Sequence, residues 1–107
     1  MRAQKNETER RYKAENREKY RASRRKIKYG LQPEQFDALM ERQRGMCAIC
    51  LSFPQPGKAL DVDHEHQTNT VRGLLCRRCN NAIGLIDDSP WRLRRAASYV
   101  ETWGRPV

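Results

Sequence analysis

Residues 47–80 read CAICLSFPQPGKALDVDHEHQTNTVRGLLCRRCN, and the fold turns on how this stretch is read. It holds all four cysteines of the chain, in two C-x-x-C pairs, Cys47/Cys50 and Cys76/Cys79. Both histidines of the chain, His64 and His66, lie between the pairs. A C-x-x-C pair brings two thiolates to one turn, each about 2.3 Å from a shared ion, so two pairs complete a closed tetrahedral Zn²⁺ site. Two disulfides are the other reading of four cysteines; the paired spacing and the lack of a secretion signal favour metal. The pairs stand 25 residues apart, beyond the roughly 15–20 of common zinc ribbons. That surplus carries the run Asp63-His64-Glu65-His66.

Working outward, Leu60 to His64 alternates as a strand does, Gln67 to Thr70 reads as a turn, and Val71 to Leu75 as the partner strand. A short helix is expected over Cys79 to Leu85. Upstream, Ser52-Phe-Pro-Gln-Pro-Gly57 is a loop by its Pro and Gly content. Before it, a helix is expected to start at Pro33, with Leu31 and Phe36 placed as a hydrophobic staple and Gln32 a weak cap. Its buried face is Phe36, Leu39 and Met40, and Gly45 ends it. Residues 1–29 contain neither Gly nor Pro and are rich in helix formers. They predict a basic helical arm whose thin seam, Tyr12, Tyr20 and Ile27, packs against a domain spanning 30–107. Downstream, Ser89 and Pro90 open a last helix. Its face of Leu93, Ala96, Ala97, Val100 and Trp103 is expected in the core, with Gly104 and Pro106 at its end. Asp87 and Asp88 read as helix-start chemistry rather than as a catalytic acid pair.

A mean hydropathy of −1.00, with two Trp and two Phe, predicts a thin core that gains from a metal cross-link. No stretch is long and apolar enough to span a bilayer, and no signal-peptide segment precedes the domain, which together predict a cytoplasmic protein. The net charge is +9, and residues 1–30 alone carry 12 Lys/Arg against 4 Glu, a net of +8. So concentrated a basic arm is the footprint of a polyanion binder. Nucleic acid is favoured over membrane, because no apolar face accompanies the charge. Arg24, Arg25 and Lys26 on the arm and Arg72, Arg77 and Arg78 beside the cysteines are the candidate phosphate contacts. A solvated charged helix without a partner is the plainer alternative for the arm.

Hydrolysing a phosphodiester requires a hard cation on the phosphoryl oxygens and a base to take a proton from water. A carboxylate and an amide oxygen suit Mg²⁺ or Mn²⁺, and Asp63 and Asn80 are those two oxygens. An imidazole with a pKa near 6.5 suits the base, and His64 adjoins the acid. In a regular strand, however, Asp63 and His64 point to opposite faces. They share one site only if the strand bends or ends there.

The runs KYGLQPEQFDAL, CAIC, DVDHEH and VRGLLCRRCNNAIG, from Lys28 to Ile86, together resemble the phage recombination endonuclease VII family, a zinc-bearing branch of the HNH (ββα-metal) nucleases. The resemblance implies a small α+β fold: a ββα-metal core stapled by a four-cysteine zinc site and flanked by helices. It implies structural zinc on Cys47, Cys50, Cys76 and Cys79, a catalytic divalent ion on Asp63 and Asn80, and His64 as general base. His66 matches the second histidine of the family motif and would assist at the phosphate. Glu65 stands where family members often carry Asp. The implied activity is endonucleolytic cleavage of DNA, duplex or branched, leaving 5′-phosphate and 3′-hydroxyl ends. The competing function is a zinc ribbon that binds DNA without cutting it. Monomer and homodimer both stay open, as do other phage proteins as partners. Recombination, packaging and host-DNA degradation are the biological roles that such an activity would fit.

Overall fold

The computed structural model describes residues 2–104, with elements α1 (Arg2–Tyr29), α2 (Pro33–Arg42), β1 (Asp61–Glu65), β2 (Thr70–Leu75), α3 (Arg77–Leu85) and α4 (Pro90–Trp103). Gly30 separates the first two helices by adopting φ +65°, left-handed backbone that costs glycine nothing. Pro33 opens α2, and the Gln35 side chain accepts the Gln32 N–H at 2.8 Å, so the start is capped from within the helix. Leu31 and Phe36 are both buried, which is the staple the sequence predicts. At the far end Arg44 and Gly45 turn left-handed and the Gly45 N–H returns to the Met40 carbonyl at 2.8 Å.

β1 and β2 form an antiparallel hairpin, and α3 lies across both strands. The core is small: Leu31, Phe36, Cys47, Leu60, Val62, Leu74 and Leu75, with Leu39, Met40 and Tyr29 packed against it. One outer edge of β2 is completed by a side chain. The Gln43 amide donates to the Leu74 carbonyl at 2.8 Å and accepts the Leu74 N–H at 2.9 Å, as a neighbouring strand would. Gly73 leaves room for it, since a Cβ there would meet Gln43 Oε1 at 3.2 Å.

Several expectations need correction. α3 begins at Arg77, two residues before Cys79, because the Cys76 sulfur acts as N-cap and accepts the Cys79 N–H. The seam on α1 does not pack: Tyr12, Tyr20 and Ile27 are 67%, 62% and 83% exposed. Instead the last turns of α1 are anchored through Tyr29, through Arg21, which donates to the Gly57 carbonyl at 2.8 Å, and through buried Arg25. α4 starts where the sequence places it, with the Ser89 hydroxyl accepting the Arg92 N–H, yet it buries none of its residues. Its apolar face, Val100 and Trp103 included, is exposed rather than core. Pro106 lies outside the described residues. Among the described residues no helix is long and apolar enough to cross a membrane.

Candidate metal centre and nucleic-acid interface

The four cysteine sulfurs lie within 4.8 Å of one another, and Cys50 Sγ and Cys76 Sγ are 3.8 Å apart. Four sulfurs about 2.3 Å from one ion stand about 3.8 Å apart along each tetrahedral edge, so this cluster fits zinc. Backbone geometry prepares it. Leu51 takes φ +62° to close the first turn, and the N–H groups of Ile49 and Cys79 each point at a sulfur at 3.4 Å. Burial works against the Cys47 thiolate, but the backbone N–H groups of Cys50, Cys76 and Ile49 outweigh it and bring the thiol down to about 6. Burial and the neighbouring sulfurs push Cys79 up to about 12. Four thiols crowded this closely resist ionising together unless a cation joins them. Among the described residues, this is the only His/Cys/Asp/Glu group of three or more so arranged.

The cysteine cluster ties the end of β2 and the start of α3 to the 47–50 turn, and the hairpin between carries the acid and the histidines. Its pairing slips between Asp63 and His64: Asp63 faces Gly73, while His64 faces Val71. Arg72 is the residue passed over. A bulge bends the strand that carries the extra residue and re-aims its side chains; here that strand is β2, while Asp63 and His64 remain consecutive, paired residues of β1. Asp63 is buried and faces Arg72, its two oxygens accepting at 2.8 and 3.0 Å. The His64 ring lies 4.7 Å from His66 and 5.1 Å from Tyr29, and neither imidazole makes a hydrogen bond among the described residues. Asn80 sits on the first turn of α3, half-buried, with its backbone N–H on the Cys76 carbonyl at 3.0 Å. Its side chain has no hydrogen-bond partner among the described residues, and Asp63 is not one.

Other residues are placed differently from expectation. The Glu65 carboxylate accepts from the N–H groups of Gln67 and Thr68 and from the Thr68 hydroxyl, at 3.1, 2.8 and 2.7 Å, so it caps the hairpin turn. Arg72 is held by acids, with Nη1 and Nη2 donating to Asp88 at 2.7 and 2.9 Å in addition to its bonds with Asp63. Those bonds hold the Asp88 carboxyl below the usual carboxylate range. Asp88 therefore serves the hairpin, while Asp87 pairs with Arg92 on the first turn of α4. Arg25 is 8% exposed, its guanidinium 3.5 Å over the Phe36 ring and 3.1 Å from Glu18, so most of its side chain is engaged in packing.

Seven basic residues converge. A groove of about 880 Å³ is lined by Arg21, Arg24, Arg25, Lys28, Lys58, Arg77 and Arg78, with Tyr29 and Phe53 among them. Its one lining acid, Asp61, lies 3.5 Å from Arg77. Three of the four cysteines form part of the wall, and Tyr29 touches both the groove and His64. Lys26 is exposed on α1 but does not line the groove.

A zinc-fitting cysteine staple around a β-hairpin and helix, beside a basic groove, defines a class of small metal-stapled α+β modules. Within that class the chain belongs to the recombination endonuclease VII family, whose family model matches residues 22–102. It is similar to the Gene 59 protein of Mycobacterium phage D29, 44% identical over 73 residues, and to that of Mycobacterium phage L5, 38% identical over 73 residues. Each match takes in 67% of this chain and 44% of the relative, so the chain spans less than half the length of these phage proteins.

Proposed function

We propose that this protein is a DNA endonuclease of the HNH type that hydrolyses phosphodiester bonds with one divalent ion. The single observation that supports the reading is that Asp63 and His64 stand on a hairpin fastened by the cysteine cluster to α3, the helix that carries Asn80. Family membership and the basic groove support DNA as substrate. Asp63 and Asn80 offer the hard oxygens that would hold Mg²⁺ or Mn²⁺, and the bound ion would supply charge stabilisation at the phosphoryl oxygens. His64 takes a proton from water on a free ring nitrogen as the water oxygen bonds to phosphorus. The P–O3′ bond breaks, leaving a 5′-phosphate and a 3′-oxyanion that takes a proton from solvent to become the 3′-hydroxyl. His66, beside it, donates to a phosphate oxygen. Arg24, Lys28, Arg77 and Arg78 carry the backbone along the groove. Duplex and branched DNA are both substrates of this chemistry, and the cytoplasm of an infected bacterium is the compartment it implies.

The test is nicking of supercoiled plasmid by the zinc-loaded full chain with Mg²⁺ or Mn²⁺. His64→Ala should lower the rate by about 10²-fold or more while gel-shift binding of DNA persists. Equal nicking by both proteins would remove His64 as the base, and none by the parent with either ion would favour a zinc module that only binds DNA.

A further inference from the structure

Arg72 is the residue that the hairpin's slipped register passes over, and its side chain lies between two acids. Nε and Nη2 donate to the two oxygens of Asp63 at 2.8 and 3.0 Å, and Nη1 and Nη2 donate to Asp88 at 2.7 and 2.9 Å. One guanidinium thus fills the position between these carboxylates that a metal ion would otherwise be drawn to. Forked charge-assisted bonds are strong ones. Asp88 first, then Asp63, raises the pKa of a group that is already permanently charged, so deprotonation cannot free Asp63. Only another cation at Asp63 or another anion at Arg72 can do so.

We propose that Arg72 is a built-in counter-ion that closes Asp63 to a divalent ion, and that substrate phosphate opens the site by drawing the guanidinium away. The inference rests on the reading of Asp63 as a metal ligand. Phosphate presents the same forked geometry as a carboxylate, so the exchange replaces one bidentate pair with another and breaks no covalent bond. Asp88 keeps the exchange local. It stands in a turn of two consecutive left-handed residues, Asp87 and Asp88 at φ 59° and 60°, and still tethers the guanidinium once Asp63 lets go. The consequence is that ion binding and DNA binding favour each other reciprocally. In the DNA-free protein, the same pairing weakens ion binding.

The test is a Mn²⁺ titration of the zinc-loaded full chain without DNA, with free Mn²⁺ read by electron paramagnetic resonance. Arg72→Gln should bind Mn²⁺ about tenfold more tightly than the parent, within the usual range for coupled binding events. Arg72→Lys keeps the charge but cannot fork to both carboxylates, and should show a smaller rise. A merely structural Arg72, needed to hold Asp63 in position, would give weaker binding in both. Arg72→Gln binding no tighter than the parent, while Asp63→Asn abolishes binding, overturns the counter-ion and leaves the ligand assignment standing. Undiminished binding in Asp63→Asn removes both. Should Arg72→Gln fail to hold zinc or to give a folded circular dichroism spectrum, Arg72→Lys decides by the same criterion.

Discussion

Arg24 and Arg25 are adjacent and both line the groove, yet the first is exposed and the second is buried flat on Phe36, paired with Glu18. Arg25→Ala should therefore destabilise the zinc-loaded protein by about 1–2 kcal/mol through lost stacking and stem packing. Arg24→Ala should change stability by no more than about 0.5 kcal/mol; denaturant melts of the two variants check this. Glu65 gives a pH-dependent case. Its carboxyl is held below the ordinary range chiefly by the Thr68 hydroxyl, then by the N–H groups of Thr68 and Gln67. A depressed folded pKa gives stabilisation that is full above the unfolded value of about 4.3 and is lost as pH falls through the folded value. Glu65→Gln should melt below the parent at pH 7, and the gap should shrink below about pH 4. The cysteines and histidines were legible in the sequence because they are rare types at diagnostic spacing. Arg72 and Asp88 were not, because their pairing joins residues 16 apart and depends on a register that no single strand reveals.

At the scale of elements, local chemistry was the readable part. Gly30, Pro33, Ser89 and Pro90 mark helix ends by rules that need only a few neighbouring residues, and they stand where those rules put them. Apolar periodicity was less secure. The faces of α1 and α4 have the right spacing, but among the described residues they stay largely exposed, so spacing alone overstated burial. Gln43 was missed altogether, since its role is to pair with Leu74, 31 residues away. Gln43→Leu should leave the Leu74 N–H and carbonyl without that partner and cost about 1–3 kcal/mol. Urea unfolding with zinc retained measures it; a cost near zero would mean that water replaces the amide.

At the scale of the whole molecule, a seven-residue buried cluster is asked to hold a hairpin and the helices around it. Structural zinc contributes about 10–16 kcal/mol in small modules, so chelation should abolish the cooperative melt, and readded Zn²⁺ should restore it. The charge distribution was legible from composition, but the groove that gathers Arg24, Lys28, Arg77 and Arg78 needed the fold. DNA affinity should fall with salt by a log–log slope of about −0.9 per phosphate contacted. Replacing Arg77 and Arg78 together by Ala should reduce that slope by about 2. The convergence of Asp63, Asn80 and His64 on a second ion is tested most directly by diffraction from crystals of the zinc-loaded protein with DNA and Mn²⁺, using anomalous data at both metal edges. The expected result is zinc among the four sulfurs and a separate manganese peak at coordination distance, about 2.1 Å for a magnesium-like ion, from the Asp63 and Asn80 oxygens, with the His64 ring facing it. A manganese peak bound elsewhere, or none with Arg72 still on Asp63, would contradict it.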